Sequence, residues 1–265
     1  MPSPSAGRSG RSGRILRRLL VAVLVLIGVA IVAFLWWARP QPLLPEATAA
    51  LASTPIVAFE EGPDGRLTYI STEHLDRGDA APDTGLVLYT GGKVPPAAYA
   101  PAAQAIAEAG YVVIIVPAPF NFAIFDTGAA APAIADHPEI VTWAVGGHSL
   151  GGASAALFVD GHPGVVDGLA LWASFSSADL AGEGLAVALV YGSLDSGVPS
   201  FTAPDAMARL GGEVTTSVIE GGNHEQMGWY TGQPNDPPAT IERTDQQAQL
   251  VEATVELLAA IDPTP

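Results

Sequence analysis

The sequence predicts an α/β fold in which a mostly parallel sheet carries helices on both faces and follows one N-terminal transmembrane helix. Two observations lead to this prediction. From Pro55 onward, apolar strand-like runs alternate with alanine-rich helical stretches, as in a parallel sheet that is covered on both faces. Near the N-terminus, 20 consecutive residues carry no charge. The 265 residues, 49% hydrophobic and 14% charged, are enough for one domain with a substantial core.

The uncharged run, residues 19–38, is long enough to cross a membrane. As a helix it would span about 30 Å, the thickness of the hydrocarbon core. Five arginines precede it, and Trp36 and Trp37 lie at its far end, where an aromatic belt is expected. Because positive flanks stay in the cytoplasm, we expect a single-pass cell-membrane protein with everything after Arg39 outside. A cleaved signal peptide is the alternative, although its apolar region is usually about 7 to 15 residues and ends at a small-x-small site.

These features divide the chain into four predicted parts. Residues 1–14 consist mostly of Ser, Gly, Pro and Arg and predict a disordered basic tail. Residues 15–38 form the transmembrane helix. Residues 39–54 begin with three closely spaced prolines and predict a stiff linker that leads away from the membrane. Residues 55–265 form the globular domain.

The charged residues exclude nucleic acid as a partner. All 27 acidic residues lie at or after Glu46, whereas six of the 11 basic residues lie in the first 39 positions. From residue 40 onward, 5 basic residues face 27 acidic ones, a formal balance of −22. Such a surface repels phosphates. The chain has no cysteine, which excludes disulfides, thiolate metal sites and a cysteine nucleophile.

The predicted domain begins with a hairpin that adds an antiparallel edge to the sheet, because Gly62-Pro63-Asp64-Gly65 is a strong turn signal. Strands are predicted at 55–59, 67–72, 85–90, 111–116, 140–145, 168–173, 185–191 and 214–219. Helices are predicted at 99–109, 126–136, 150–160, 202–211 and 242–261.

The segment Gly147-His148-Ser149-Leu150-Gly151 has the G-x-S-x-G pattern of a nucleophile elbow. It lies between a predicted strand and a predicted helix, which is the context that the motif requires. Such a tight turn holds the serine in a strained conformation and directs the helix N-terminus at charge that develops on a substrate. Ser149 is therefore the predicted nucleophile. The alternative is a glycine-rich turn with an inert serine.

A serine nucleophile needs a histidine base, which in turn needs an orienting acid, and hydrolases carry them in the order Ser, acid, His. His162 and His224 are the histidines that follow Ser149. His162 lies in a Gly-His-Pro-Gly turn, whereas His224 ends a glycine-rich segment after the last strand, so we predict His224 as the base. Asp195, just after the preceding strand, is the predicted acid. Asp179 is the alternative acid.

The oxyanion hole is expected to use two backbone N–H groups, those of Leu150 and Gly92. Lys93 follows Gly92 and is a candidate contact for a substrate carboxylate, although an exposed lysine needs no function. Phe120 and Phe122 are predicted to form an apolar wall beside Ser149. No cofactor or metal is predicted, since the remaining histidines, His74, His137 and His148, show no ligand spacing.

Four segments of the chain resemble the alpha/beta-hydrolase superfamily, most closely its compact bacterial group called alpha/beta hydrolase fold-5. They are Tyr-Thr-Gly-Gly-Lys at 89–93, Gly-Gly-His-Ser-Leu-Gly-Gly at 146–152, Tyr-Gly-Ser-Leu-Asp at 191–195 and Gly-Gly-Asn-His at 221–224. The resemblance covers about residues 55–261 and implies a Ser149–Asp195–His224 triad with an esterase-like activity. Dienelactone hydrolases resemble this group but carry a cysteine nucleophile, which this chain lacks.

The resulting prediction is a membrane-anchored, extracytoplasmic serine hydrolase that cleaves a short-chain ester, thioester or lactone through an acyl-enzyme. The stretch 174–184 is too short for a cap of several helices, so the site should favour short acyl groups. Two alternatives remain open. One is a non-catalytic ligand-binding protein on the same fold, and the other is a cofactor-free acyl transferase or peroxidase that uses the same nucleophile.

Overall fold

A computed structural model describes residues 9–73 and 83–263. His74 and residues 1–8 of the predicted basic tail lie outside these ranges. The chain forms two compact units, Met1–Arg39 and Pro40–Pro265.

The first unit contains one long helix, α1 (Ser9–Trp37). Its segment Gly13–Trp37 is long and apolar enough to cross a membrane. The prediction of disorder is wrong for residues 9–14, because the helix begins at Ser9 and not at residue 15. Extending an established helix adds one hydrogen bond for each residue that is fixed, so the helix can continue into its polar flank.

The second unit is built on one eight-stranded sheet with the order β1-β2-β4-β3-β5-β6-β7-β8. Its strands are β1 (Val57–Glu61), β2 (Leu67–Ser71), β3 (Thr84–Tyr89), β4 (Val112–Val116), β5 (Thr142–His148), β6 (Gly168–Trp172), β7 (Ala186–Gly192) and β8 (Glu213–Ile219). The strands from β3 to β8 run parallel, whereas β2 is antiparallel to both β1 and β4. The predicted antiparallel edge is thus confirmed.

The helices of this unit cover both faces of the sheet. They are α2 (Pro45–Ala49), α3 (Ala100–Glu108), α4 (Ala130–Ala135), α5 (Leu150–Gly161), α6 (Val198–Phe201), α7 (Pro204–Leu210) and α8 (Arg243–Ile261). Helices α3 and α8 pack against each other, and α5 packs on β3, β5 and β6. Each predicted strand and helix overlaps an observed one, so the predicted α/β fold is confirmed.

The core explains why the strands read as continuous apolar runs. Strands β3, β4, β5 and β6 are buried along their whole length. A parallel strand that is covered on both faces has no solvent side, so its sequence does not alternate between apolar and polar residues. The loops at the carboxyl ends of these strands meet at one edge of the sheet, the carboxyl edge.

Residues 40–54 pack on the sheet domain, so the prediction that they form a linker is wrong for this stretch. Leu43 forms an antiparallel bridge with Tyr230, and Ala47 in α2 is fully buried. The Tyr69 hydroxyl donates to the Ala50 carbonyl at 3.1 Å. The prolines favour an extended start, but the alanines that follow offer small apolar side chains that the domain can bury.

Candidate active site

Ser149 stands in a strained backbone conformation between β5 and α5. Its φ is 54° and its ψ is −120°, which is the left-handed side of the map that L residues rarely occupy. Hydrogen bonds from neighbouring segments hold this conformation. The Ser149 N–H donates to the Trp172 carbonyl at 2.9 Å, and the Ser174 hydroxyl donates to the Ser149 carbonyl at 2.6 Å. The end of β6 thus fixes the turn.

Two glycines of the motif are required by close approach of the backbone. A Cβ atom on Gly147 would lie 2.6 Å from the Tyr89 carbonyl oxygen, and one on Gly151 would overlap the same carbonyl. Real Cβ atoms do not come this close to backbone atoms, so a side chain at either position would push α5 away from β3. The glycines therefore let α5 start directly behind Ser149.

His224 and Asp195 form a hydrogen-bonded pair at the carboxyl edge. His224 Nδ1 lies 2.7 Å from Asp195 Oδ2. The other Asp195 oxygen accepts the Gly197 N–H at 2.7 Å, and Asp195 is 4% exposed. The carboxylate is thus held on both oxygens in a turn just after β7. It fixes the ring of His224 with Nε2 left for other partners.

Asp236 is a second acidic residue near His224, and the sequence reasoning missed it. Its two oxygens accept the backbone N–H groups of His224 at 3.2 Å and Glu225 at 2.7 Å. Burial raises the pKa of Asp236, while these two backbone hydrogen bonds lower it. Asp236 therefore orders the backbone that carries His224. Asp236 lies 12 residues after His224 in a loop that matches no motif, so the sequence gives no signal for it.

A cavity of about 430 Å³ joins these groups. Ser149, Asp195, His224 and Asp236 all contribute to its lining. The rest of its surface is formed by Leu150, Ala153, Ala173, Phe175, Ser196, Gly197, Ser200, Phe201, Gln233 and Pro234. A serine at a strained turn, a histidine and its carboxylate partner thus face one pocket.

The apolar wall of the cavity differs from the prediction. Phe175 and Phe201 line it, whereas Lys93, Phe120 and Phe122 are not among the described residues around it. Phe122 lies instead behind the turn after β3, where its ring comes within 3.6 Å of the place that a Gly92 Cβ would take. In the loop that follows β4, Phe120 and Asn121 both have positive φ.

The turn after β3 leaves one N–H group available. Gly91 N–H donates to the Tyr99 hydroxyl, and Lys93 N–H donates to the Asn121 carbonyl. Among the described residues, the N–H groups of Gly92 and Leu150 donate to no protein acceptor. Phe122 and Leu150 both approach Gly92, so the two amide groups lie on neighbouring segments. This is the arrangement expected of an oxyanion hole.

Comparison with known sequences settles the family. The sequence profile of the alpha/beta hydrolase family matches residues 85–248, from β3 to the first turn of α8. The chain belongs to the alpha/beta hydrolase family. No curated protein matches this chain at significant similarity.

Solved structures share the fold of the hydrolase at low sequence identity. Est1E from Butyrivibrio proteoclasticus is 11% identical, with a TM-score of 0.52 over 77% of this chain and 99% of its own. An S-formylglutathione hydrolase from Agrobacterium tumefaciens is 13% identical, with a TM-score of 0.50 over 78% and 98%. A predicted CIB-like hydrolase from Thermoplasma acidophilum is 17% identical, with a TM-score of 0.52 over 77% and 99%. These structures show that the chain shares their fold.

His148, the residue before Ser149, is buried. Burial lowers its pKa well below the usual 6.5, and the nearby His224 lowers it further. His148 Nδ1 lies 2.9 Å from the Tyr99 hydroxyl, which also accepts the Gly91 N–H. The His148 ring packs against that of His224, with centroids 4.4 Å apart. His148 thus connects the turn after β3 to the predicted base.

The other candidate residues of the hydrolase lie apart from the cavity. Asp179 is exposed and accepts the Ala181 N–H. His162 contacts Phe158 on its own helix, and His137 pairs with Glu139. Within residues 9–73 and 83–263, no group of three metal-ligating side chains occurs.

Proposed function

We propose that this chain is a membrane-anchored, extracytoplasmic serine hydrolase that cleaves a short-chain ester, thioester or lactone. The observation that carries this proposal is the hydrogen-bonded pair of His224 and buried Asp195 in the same cavity as Ser149. A nucleophile without a base would be inert at neutral pH. The S-formylglutathione hydrolase among the structures of the same fold supports the reaction class, and the cavity supports the residues.

The proposed reaction starts with Ser149 Oγ. His224 Nε2 takes the hydroxyl proton while Oγ forms a bond to the carbonyl carbon of the ester, and Asp195 stabilises the imidazolium that results. The Gly92 and Leu150 N–H groups donate to the oxyanion. His224 then returns the proton to the leaving alkoxide, which leaves an acyl group on Ser149. Water, activated by the same histidine, hydrolyses this acyl-enzyme and restores the serine.

The test of the catalytic proposal is labelling with a fluorophosphonate probe. We expect the probe to label the wild type and Ser200→Ala, and to leave Ser149→Ala unlabelled. Ser200 is the matched control because it lines the same cavity but stands apart from the elbow. Hydrolysis of 4-nitrophenyl butyrate should disappear with the label. A Ser149→Ala variant that still binds the probe would refute the assignment, and labelling without hydrolysis would favour acyl transfer.

The walls of the cavity limit the length of the substrate acyl group that it can enclose. The stretch 174–184 between β6 and β7 contains no helix, and the apolar wall consists mainly of Phe175 and Phe201. One small wall encloses a short acyl chain and leaves a long one in water. Among 4-nitrophenyl esters, we expect acetate and butyrate to be cleaved faster than long-chain esters, without a jump in rate at the critical micelle concentration.

The membrane part of the proposal rests on α1 and its flanks. Gly13–Trp37 can span a bilayer, and the arginines before it favour a cytoplasmic N-terminus. A protease added to intact spheroplasts should therefore digest residues 40–265 and spare the N-terminal tail. Complete protection of the hydrolase domain would place it inside the cell instead.

A further inference from the structure

The polypeptide enters the hydrolase domain at the same edge of the sheet that carries the predicted active site. Gln41 N–H donates to the Lys93 carbonyl at 2.8 Å, in the turn after β3. Leu44 N–H donates to the Trp229 carbonyl at 3.0 Å, in the segment that follows His224. Both acceptors belong to loops at the carboxyl ends of their strands. The first residues of the domain are therefore fixed at the carboxyl edge.

An exposed apolar patch lies beside this entry point. The loop 119–125 follows β4, and its Asn121 carbonyl accepts the Lys93 N–H at 2.7 Å. The backbone of Lys93 is thus bonded both to the loop and to Gln41. Three large apolar side chains of the loop and one of the entry segment are strongly exposed: Phe120 54%, Ile124 42%, Phe125 59% and Leu43 36%. We call these four residues the carboxyl-edge patch.

The patch differs from the other exposed apolar residues of the domain. Among the described residues of the domain, the others are Ile56, Val141, Val165, Phe175 and Val218, each in its own segment, with Val141 and Val165 at the opposite, amino edge of the sheet. Single exposed apolar residues need no explanation, whereas several that lie in one loop mark an interaction surface. The stretch 117–125 carries no acidic residue, and the exposed Asp126 follows it, in a domain with a charge balance of −22. An acidic domain can approach lipid headgroups with less repulsion through a face that has few acidic groups.

The short length of chain between α1 and the domain limits how far the carboxyl edge can lie from the end of α1. Helix α1 ends at Trp37, and Gln41 is already bonded at the carboxyl edge. Four residues reach at most about 14 Å when fully extended. The headgroup layer on one side of a bilayer is about 5 to 8 Å thick. If α1 spans the membrane, the carboxyl edge is therefore held close to the bilayer surface.

We propose that the carboxyl-edge patch inserts into the headgroup layer of the bilayer in which α1 is anchored. This inference rests on the membrane part of the proposed function. Aromatic side chains are favoured at this depth, because their rings tolerate a partly apolar surrounding. The cavity with Ser149 then opens at the membrane surface, and its substrate approaches from there.

The test uses the absence of cysteine from the chain, because a single introduced cysteine carries the only thiol-directed label. The full chain is reconstituted in phosphatidylcholine vesicles with an environment-sensitive fluorophore at Phe125→Cys, Leu26→Cys or Val141→Cys. Leu26 lies in α1 and reports the anchor. Val141 is the matched control, since it is apolar, 73% exposed and lies just before β5 at the amino edge. All three sites are exposed, so the label disturbs no core.

Spin-labelled lipids should quench the fluorophore at Leu26 and Phe125 at least twofold more than at Val141. Quenching at Leu26, with Phe125 no more quenched than Val141, would overturn the patch proposal and leave the anchor intact. An unquenched Leu26 would overturn the anchor and the patch together. Hydrolysis of 4-nitrophenyl butyrate in the same samples reports separately on the catalytic proposal and confirms that each labelled chain is folded.

Discussion

The two histidines that follow Ser149 in the sequence lie at opposite edges of the sheet, and their surroundings differ in kind. His162 directly follows α5, at the amino edge of the sheet. Its ring stacks on Phe158 at 4.3 Å, and its Nδ1 bonds to the Phe158 carbonyl at 2.9 Å, four residues earlier on the same helix. The partners of His224 are distant in the sequence, since Asp195 is 29 residues away and Asp236 is 12 away.

Whether a glycine-rich loop contributes to a candidate site thus depends on the edge of the sheet at which the loop lies. At the amino edge, a loop meets the starts of strands and its own helix. At the carboxyl edge, it meets the loops of neighbouring parallel strands, where polar groups from distant segments converge. Variants of matched residues, one at the site and one away from it, test this difference.

Loss of the base should have the largest effect. We expect His224→Ala to lower kcat for 4-nitrophenyl butyrate by about 10⁴-fold or more, because the proton of Ser149 then has no acceptor. His162→Ala should stay within about twofold of the wild type, since its contacts are local. Steady-state kinetics on both variants checks this. Equal losses of kcat in the two variants would show that the edge of the sheet at which a histidine lies does not determine its role.

Loss of the orienting acid should come next. Asp195→Asn keeps the shape of the side chain but offers Nδ1 of His224 an amide, so kcat should fall by about 10³- to 10⁴-fold. Asp179→Asn should leave kcat nearly unchanged, because Asp179 is exposed and its hydrogen bond to the Ala181 N–H is local. The same assay compares the two. A larger loss in Asp179→Asn would make Asp179 the acid.

Two glycines at the ends of α5 should respond in opposite directions. Gly151→Ala should lower the free energy of unfolding by about 1–3 kcal/mol, because its Cβ overlaps the Tyr89 carbonyl. Gly161→Ala should raise it by up to about 1 kcal/mol, because nothing lies within 4 Å of the new Cβ and alanine favours the helix. Chemical denaturation of the full chain in detergent measures both. A stabilised Gly151→Ala would show that α5 can move away from β3.

Because His148 is buried, the free energy of unfolding should depend on pH below 6.5, the usual pKa of histidine. The pKa of His148 in the folded chain is well below 6.5, so below about pH 6.5 the unfolded chain binds a proton that the folded chain does not. The free energy of unfolding should therefore fall as the pH drops from 6.5, by up to about 1.4 kcal/mol for each pH unit. Denaturation between pH 5 and 8 should show a flatter profile for His148→Gln. An unchanged slope, or a slope flattened equally by His162→Gln, would contradict the assignment.

The sequence determined the order of strands and helices along the chain. Strands that are buried on both faces must be apolar throughout, and the helices between them must be able to cover the sheet, so local patterns reveal both. It also located the strained turn at Ser149, because close approach of α5 to β3 leaves room only for glycine at positions 147 and 151. Both features leave a local pattern in the sequence, although the contact that requires the glycines is with Tyr89 in β3.

Tertiary structure decided which side chains meet. Asp236 near His224, Phe175 and Phe201 on the cavity wall, and Leu43 against Tyr230 have no pattern in the sequence. Phe120 and Phe122, predicted as a wall, are not among the residues that line the cavity, and residues 40–54 pack on the domain, for the same reason. Whether a loop turns toward the cavity or away from it depends on backbone hydrogen bonds to distant segments, such as those of Lys93 with Asn121 and Gln41. Local propensity carries no information about such bonds, because their partners are brought together only when the sheet has formed.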